Sequence, residues 1–369
     1  MMKEMLRLRP ELAALAPYNA GLTLEEVASR PGVTRIAKLG SNENPYGPSP
    51  GVTAAVIAAA QRLHLYPDPL GRDLRAAIAG QLDCRTEQIV LGNGSEDLLN
   101  ILARSLLRPG DRVVTLYPSF PLHEDYARMM GAEVERIGLT AQGTIDVEAL
   151  VAAVSRPARL ILFSNPMNPA GVWLTPGEME RVVAAQHPES LLCVDEAYIE
   201  FADPALCRSA VKLMQTVEKP MMVLRTFSKA WGLAAMRLGY GVTNDAALRR
   251  GLDLVRTPFN ANHLAQIAGL AALADPTHVR LAVAQIVTER DRVFDAVKAL
   301  GLRALPSMAN FIFFDCGQNA VALAGRLLDQ GVIVKPWKQS GYETWMRVTS
   351  GLPSENQQFL DAIQRELRR

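Results

Sequence analysis

Short runs rich in Val, Ile and Leu recur along the chain at residues 88–92 (QIVLG), 112–118 (RVVTLYP), 159–166 (RLILFSNP), 191–198 (LLCVDEAY), 221–227 (MMVLRTF) and 238–243 (LGYGVT). Segments of helical spacing separate most of them, as in SEDLLNILARSLLRPGD, where Leu98, Leu99, Ile101, Leu102, Leu106 and Leu107 recur until Pro109-Gly110 stops the run. This alternation predicts an α/β fold with a mostly parallel sheet covered on both faces. Ligands of such sheets bind beyond the carboxyl ends of the strands, so the polar residues that end each run are where chemistry is to be sought.

The rest of the chain follows a different pattern. Residues 264–300 read as two helices broken at Asp275-Pro276, followed by a strand at 311–314, a helix at 320–330, strands at 332–334 and 346–349, and a last helix from Glu355. No internal repeat, low-complexity tract or Gly/Ser linker interrupts the chain, so a second, smaller domain is expected to pack closely on the first. A length of 369 residues suffices for two domains at about 150 residues each. The boundaries expected are 1–45 for an N-terminal arm and part of the small domain, 46–275 for the large domain and 276–369 for the small C-terminal domain.

Composition narrows the function. The net charge of +1, with no run of five like charges, leaves no electrostatic footprint for nucleic acid and favours a small-molecule partner. Cys84, Cys193, Cys207 and Cys316 are scattered without a CxxC pair, so neither a metal site nor a disulfide framework is expected, and reduced thiols suit a cytoplasmic protein. The N-terminus lacks a secretory pattern and no stretch reaches 18 apolar residues, so no membrane association is expected.

The strand ends carry the candidate site. GNGSED (residues 92–97) puts glycines and Ser95 between a strand and a helix, either as an anion cradle of free N–H groups or as a simple N-cap made by Ser95. Phe120 lies near the same rim, as packing or as a ligand contact. SNPMNPAG (164–171) is a rigid turn able to aim Asn168, and VDEAY (194–198) leaves Asp195 at the end of an apolar strand. Such a carboxylate requires a cationic or donor partner, for which Lys229 and Arg237 are candidates. Lys229 itself follows the apolar run 221–224, and burial of an unpartnered ammonium costs several kcal/mol, so it requires a chemical reason.

Together these segments, with PYNAG (17–21), LGSNENPYGPSP (39–50), YPDPLGRDLR (66–75), TFSKAWGLAAMRLGY (226–240) and MRVTSG (346–351), resemble the fold-type-I, pyridoxal-phosphate-dependent aminotransferases of class I/II, and among them the histidinol-phosphate subgroup. The resemblance implies pyridoxal 5'-phosphate as cofactor, held by Lys229 as a Schiff base, with Asp195 on the ring nitrogen, Tyr198 and Asn168 on the ring hydroxyl and Phe120 on the ring face. It further implies that the N–H groups of Ser95 and Glu96, with Ser228 and Arg237, hold the phosphate. Tyr66 would reach the cofactor of a second subunit in a homodimer, while Tyr18, Asn44, Lys335 and Arg347 would meet the substrate. The implied reaction is ping-pong transfer between an amino donor, histidinol phosphate, and a 2-oxo acid, 2-oxoglutarate. An aromatic amino-acid aminotransferase and a threonine-phosphate decarboxylase-like lyase are the alternatives.

Five positions depart from the usual pattern of that family. Glu96-Asp97 stands for Asp-Glu, Ala170 for Thr, Ala235 for Gly, and Lys335 for an arginine on the substrate phosphate. His123 stands where some members carry a tyrosine, and is expected to be exposed or to cap a helix.

Overall fold

The computed structural model describes residues 8–13, 15–17 and 21–368. Among them the strands, in chain order, are β1 (Ala37–Lys38), β2 (Ile89–Gly92), β3 (Arg112–Leu116), β4 (Glu133–Ile137), β5 (Leu160–Ser164), β6 (Leu191–Asp195), β7 (Met221–Thr226), β8 (Gly239–Thr243), β9 (Arg303–Leu305), β10 (Phe311–Asp315), β11 (Val332–Ile333), β12 (Lys335–Pro336) and β13 (Trp345–Thr349).

Seven of these form the main sheet, in the order β2-β8-β7-β6-β5-β3-β4. The pairs among β3 to β7 are parallel, whereas β8 runs antiparallel to both β7 and β2. The reversal follows from the chain. A parallel return needs a full crossover, usually a helix, but residues 227–238 are spent on a compact loop with one short 3-10 turn, Ala234–Met236, and the strand comes straight back. Lys229 sits on that loop.

Strands β5, β6, β7 and β8 are buried at every position, as a sheet covered on both faces requires. One apolar cluster fills one face with residues such as Ile161, Phe163, Val194 and Val223, and a second fills the other with Leu98, Leu102, Leu162, Cys193 and Met222. The edge strand β4, EVERI, went unforeseen because its exposed charged residues hide its single buried position, Ile137.

A four-stranded antiparallel sheet, β12-β13-β10-β9, and the parallel pair β1-β11 make up the second body. Its core joins Ala37 and Leu39 to Ile312, Phe314, Met346, Val348 and Phe359. Residues 37–39 therefore pack with the C-terminal part of the chain, and residues 40–44 cross from it to the main sheet. The break at Asp275-Pro276 falls between the helices His263–Leu273 and Pro276–Ala299, the second of which starts with Asp275 accepting the His278 N–H.

Candidate active site

A cavity of about 990 Å³ opens at the carboxyl ends of the strands, between the main sheet and the second body. Ser95, Glu96, Phe120, Asn168, Asp195, Tyr198, Ser228, Lys229, Arg237, Lys335 and Arg347 all line it, so residues spread over 253 positions of sequence meet in one place.

One wall is built for an anion. The helix Ser95–Leu106 begins with Gly94 as its N-cap and has no side-chain cap, which corrects the capping alternative for Ser95: the first N–H groups stay available because no side chain takes them. Two glycines keep this approach clear. A Cβ on Gly239 would lie 2.2 Å from the Ser95 nitrogen, and one on Gly94, which has φ +87°, would lie 2.6 Å from Nη2 of Arg237. The Arg237 guanidinium thus borders the uncapped helix end. Ser228, on the same loop, accepts a hydrogen bond from Thr226 Oγ1 at 3.0 Å.

Lys229 projects into the cavity and donates from Nζ to the Ser41 carbonyl at 2.9 Å. Burial, reinforced by the positive charge of Arg347, brings its pKa down from 10.5 to about 7. A charged lysine is poorly accommodated here, and a neutral amine is a nucleophile and a base.

Asp195 finds its partner in His123, not in Lys229 or Arg237. His123 is 1 % exposed, which overturns the expectation of an exposed or capping histidine, and its Nε2 lies 3.1 Å from Asp195 Oδ2. With an ionised carboxylate as acceptor, Nε2 must carry the proton. The Ala197 N–H donates to the other carboxylate oxygen at 3.1 Å. His123 stands three residues after Phe120 at the start of the helix Pro121–Met129, and the two rings meet edge to face with centroids 5.5 Å apart. That i, i+3 spacing was the available signal.

Tyr198 receives two amide donors, Asn168 Nδ2 at 3.3 Å and Asn42 Nδ2 at 3.0 Å. Asn42 rather than Asn44 faces the cavity. Asn44 donates to the Ala230 carbonyl at 2.9 Å and accepts from the Tyr46 N–H, so it braces the chain beside Lys229. Asn42 has a positive φ of 57°, which turns its side chain inward. It is also tied to the second body: its N–H donates to Thr349 Oγ1, and its carbonyl accepts from Asn310 Nδ2.

Arg347 is 7 % exposed and donates to Asn168 Oδ1 at 2.8 Å and to the Gly40 carbonyl at 2.7 Å. Lys335 and Lys338 line the same end of the cavity. Burial, with Arg347 and Lys338 close by, lowers the Lys335 pKa to about 8. Glu43, also on the cavity wall, pairs with Lys38 at 2.8 Å. Tyr66 does not line the cavity; it is 81 % exposed and stacks on Phe259 with ring centroids 4.5 Å apart. Tyr18 lies outside the described residues.

The groups present fit a phosphorylated ring aldehyde: an uncapped helix end beside an arginine, a buried lysine of lowered pKa, and a carboxylate and a phenol three residues apart at the end of β6. Residues 34–363 match the model of the aminotransferase class I and II family, and the chain belongs to it. It is 52% identical to histidinol-phosphate aminotransferase 1 of Mesorhizobium japonicum, over 96% of this chain and 97% of that one. It is 48% identical to histidinol-phosphate aminotransferase 3 of Rhizobium meliloti, over 96% of each. The crystal structure of a Sinorhizobium meliloti histidinol-phosphate aminotransferase in complex with pyridoxal-5'-phosphate superposes with a TM-score of 0.89 at 29% identity, covering 100% of this chain and 99% of that one. An aspartate aminotransferase of Thermus thermophilus, 23% identical with a TM-score of 0.84, shares the fold.

Proposed function

We propose that this chain is a pyridoxal 5'-phosphate-dependent transaminase that takes the amino group of histidinol phosphate and passes it, by a ping-pong route, to 2-oxoglutarate. The observation that carries the reading is the pairing of a lysine of pKa about 7 with a cationic cavity end made by Lys335, Lys338 and Arg347. The names of relatives at 52% and 48% identity support the substrate.

The cofactor, when bound, supplies a carbonyl that exchanges for the substrate's amino group and a ring that takes up electron density when the substrate loses its Cα proton. Lys229 would hold the carbonyl carbon, and its amine, whose pKa burial lowers to about 7, would carry the substrate's Cα proton at Nζ. Asp195, fixed by His123, presents a carboxylate to the ring nitrogen. Tyr198, oriented by Asn42 and Asn168, donates toward the ring hydroxyl. Ser95 and Glu96 N–H groups, Ser228 and Arg237 bind the phosphate, and Phe120 covers the ring face. Arg347, Lys335 and Lys338 draw in the substrate's anionic end. Lys335 keeps the charge of an arginine without its bidentate fork, so it attracts phosphate as a point charge.

Tyr66 and the exposed Leu63, Leu65, Leu254 and Phe259 support a homodimer in which Tyr66 reaches the site of the second subunit. Four free cysteines go with a cytoplasmic setting. Comparing kcat/KM for histidinol phosphate, phenylalanine and tyrosine tests the substrate, and carbon dioxide release from threonine phosphate tests the lyase alternative. A preference for either aromatic amino acid overturns the reading.

A further inference from the structure

Besides the strand ends, a second set of contacts joins the two bodies at the cavity. The loop 117–120, which ends in Phe120, meets the segment 337–342 that follows β12. Gln339 is the centre of the joint. Its Oε1 accepts from the Ser119 N–H of the main sheet's loop at 2.9 Å and from the indole Nε1 of Trp337 at 2.9 Å. Both partners can only donate, so chemistry fixes which end of the amide faces them.

The joint has firm footing on each side. Ser119, 3 % exposed, donates from Oγ to the buried Glu124 at 2.8 Å, and Glu124 also accepts from Arg128 and Arg136. Tyr117 donates to the Ser340 carbonyl at 2.7 Å, beneath the Arg136 guanidinium 4.3 Å from its ring centroid. Across the joint, Trp337 is 4 % exposed and its ring lies 5.9 Å from the Arg347 guanidinium carbon. Gln339, Trp337, Lys335 and Phe120 all line the cavity.

We propose that Gln339 is a positioning residue whose side-chain oxygen locks the loop carrying Phe120 to the segment carrying Trp337 and Lys335, so that the ring-face wall and the anion-binding end of the cavity hold one spacing. The proposal rests on the transaminase reading of the cavity. It touches no reacting atom: Gln339 acts through Ser119 and Trp337. With the lock broken, the cationic end drifts from the ring face, and the amino donor is held less well while the phosphate cradle of the cofactor, to which Gln339 makes no hydrogen bond, is unaffected.

The test uses the full-length, cofactor-loaded enzyme with Gln339→Met, which keeps the length of the side chain and loses both accepted hydrogen bonds. KM for the amino donor should rise about tenfold, the loss expected from two hydrogen bonds of modest net strength, with kcat within about twofold. Cofactor affinity should stay within about twofold and the melting temperature within about 2 °C. Amide exchange in the segments 117–124 and 337–345 should speed up together, and Gln339→Glu, whose carboxylate still accepts both N–H groups, should restore their protection. Unchanged exchange in 117–124, or a general loss of stability in place of a local one, overturns the proposal. Measuring KM for glutamate as well as for histidinol phosphate keeps the two readings apart: a wild-type enzyme that uses only glutamate removes the substrate assignment, and Gln339 is then judged on glutamate.

Discussion

Lys229→Met should make the cofactor-free chain more stable in mildly acidic buffer and should lose that advantage as pH rises. The folded chain lowers the lysine pKa from 10.5 to about 7, so it binds the proton less well than the unfolded chain does. The penalty is therefore complete below pH 7, shrinks between about 7 and 10.5, and is absent above. Taken whole, the drop corresponds to about 5 kcal/mol at about 1.4 kcal/mol per tenfold. Lys229 keeps part of its surface on the cavity, where water screens it, so roughly 2–3 kcal/mol is expected. Methionine also removes the donor to the Ser41 carbonyl, a loss of about 1.5 kcal/mol at every pH. The variant should thus lead wild type by about 1 kcal/mol near pH 6.5 and trail it once the wild-type lysine is neutral in both states. Urea denaturation of both cofactor-free proteins at about pH 6.5 and 9.5, followed by circular dichroism, measures the difference. A gap between the two proteins that is the same at both pH values would refute the reasoning.

Other perturbations test the site piece by piece. Arg237→Ala should weaken cofactor binding about 10- to 100-fold, from the roughly 1.5–3 kcal/mol of a charge-assisted hydrogen bond, as read by equilibrium titration of the cofactor-free chain. Gly239→Ala should be at least as damaging to the same titration, since its Cβ would meet the Ser95 nitrogen at 2.2 Å. His123→Phe keeps the ring volume but leaves Asp195 buried without its side-chain donor, and should lower kcat at least about tenfold with little change in donor KM. KM for a phosphorylated donor should climb as pH passes about 8 and Lys335 loses its proton, and Lys335→Arg should flatten that rise in a steady-state pH profile.

Much of this was legible in the sequence because apolar strands ending in polar residues signal both the sheet and its ligand edge. Lys229, Asp195, Tyr198 and Asn168 each follow or end such a strand, Arg237 lies on the loop that carries Lys229, and all of them line one cavity. What escaped depended on backbone turns and on contacts between distant segments. His123 is buried only because Asp195, 72 residues away, comes to its ring. Asn42 and Asn44 are alike in sequence, and the left-handed backbone at Asn42 decides which one faces inward. The helix begins one residue earlier than a serine cap would place it, since Gly94 can take the cap position that frees the N–H groups. Strand β1, only two residues long, carries too short a pattern to read.

Asn42 has a mechanical consequence. Its backbone is pinned to Thr349 and Asn310 of the smaller body, while its amide reaches the Tyr198 hydroxyl of the larger one. A swing of the smaller body would drag that amide along and take away one of the two donors at the phenol. The hydrogen bonds at the Tyr198 oxygen are then a gauge of domain position, two amide donors with the cleft as it stands and one with the smaller body swung away. Opening and closing would be written into the bonding of a single side chain.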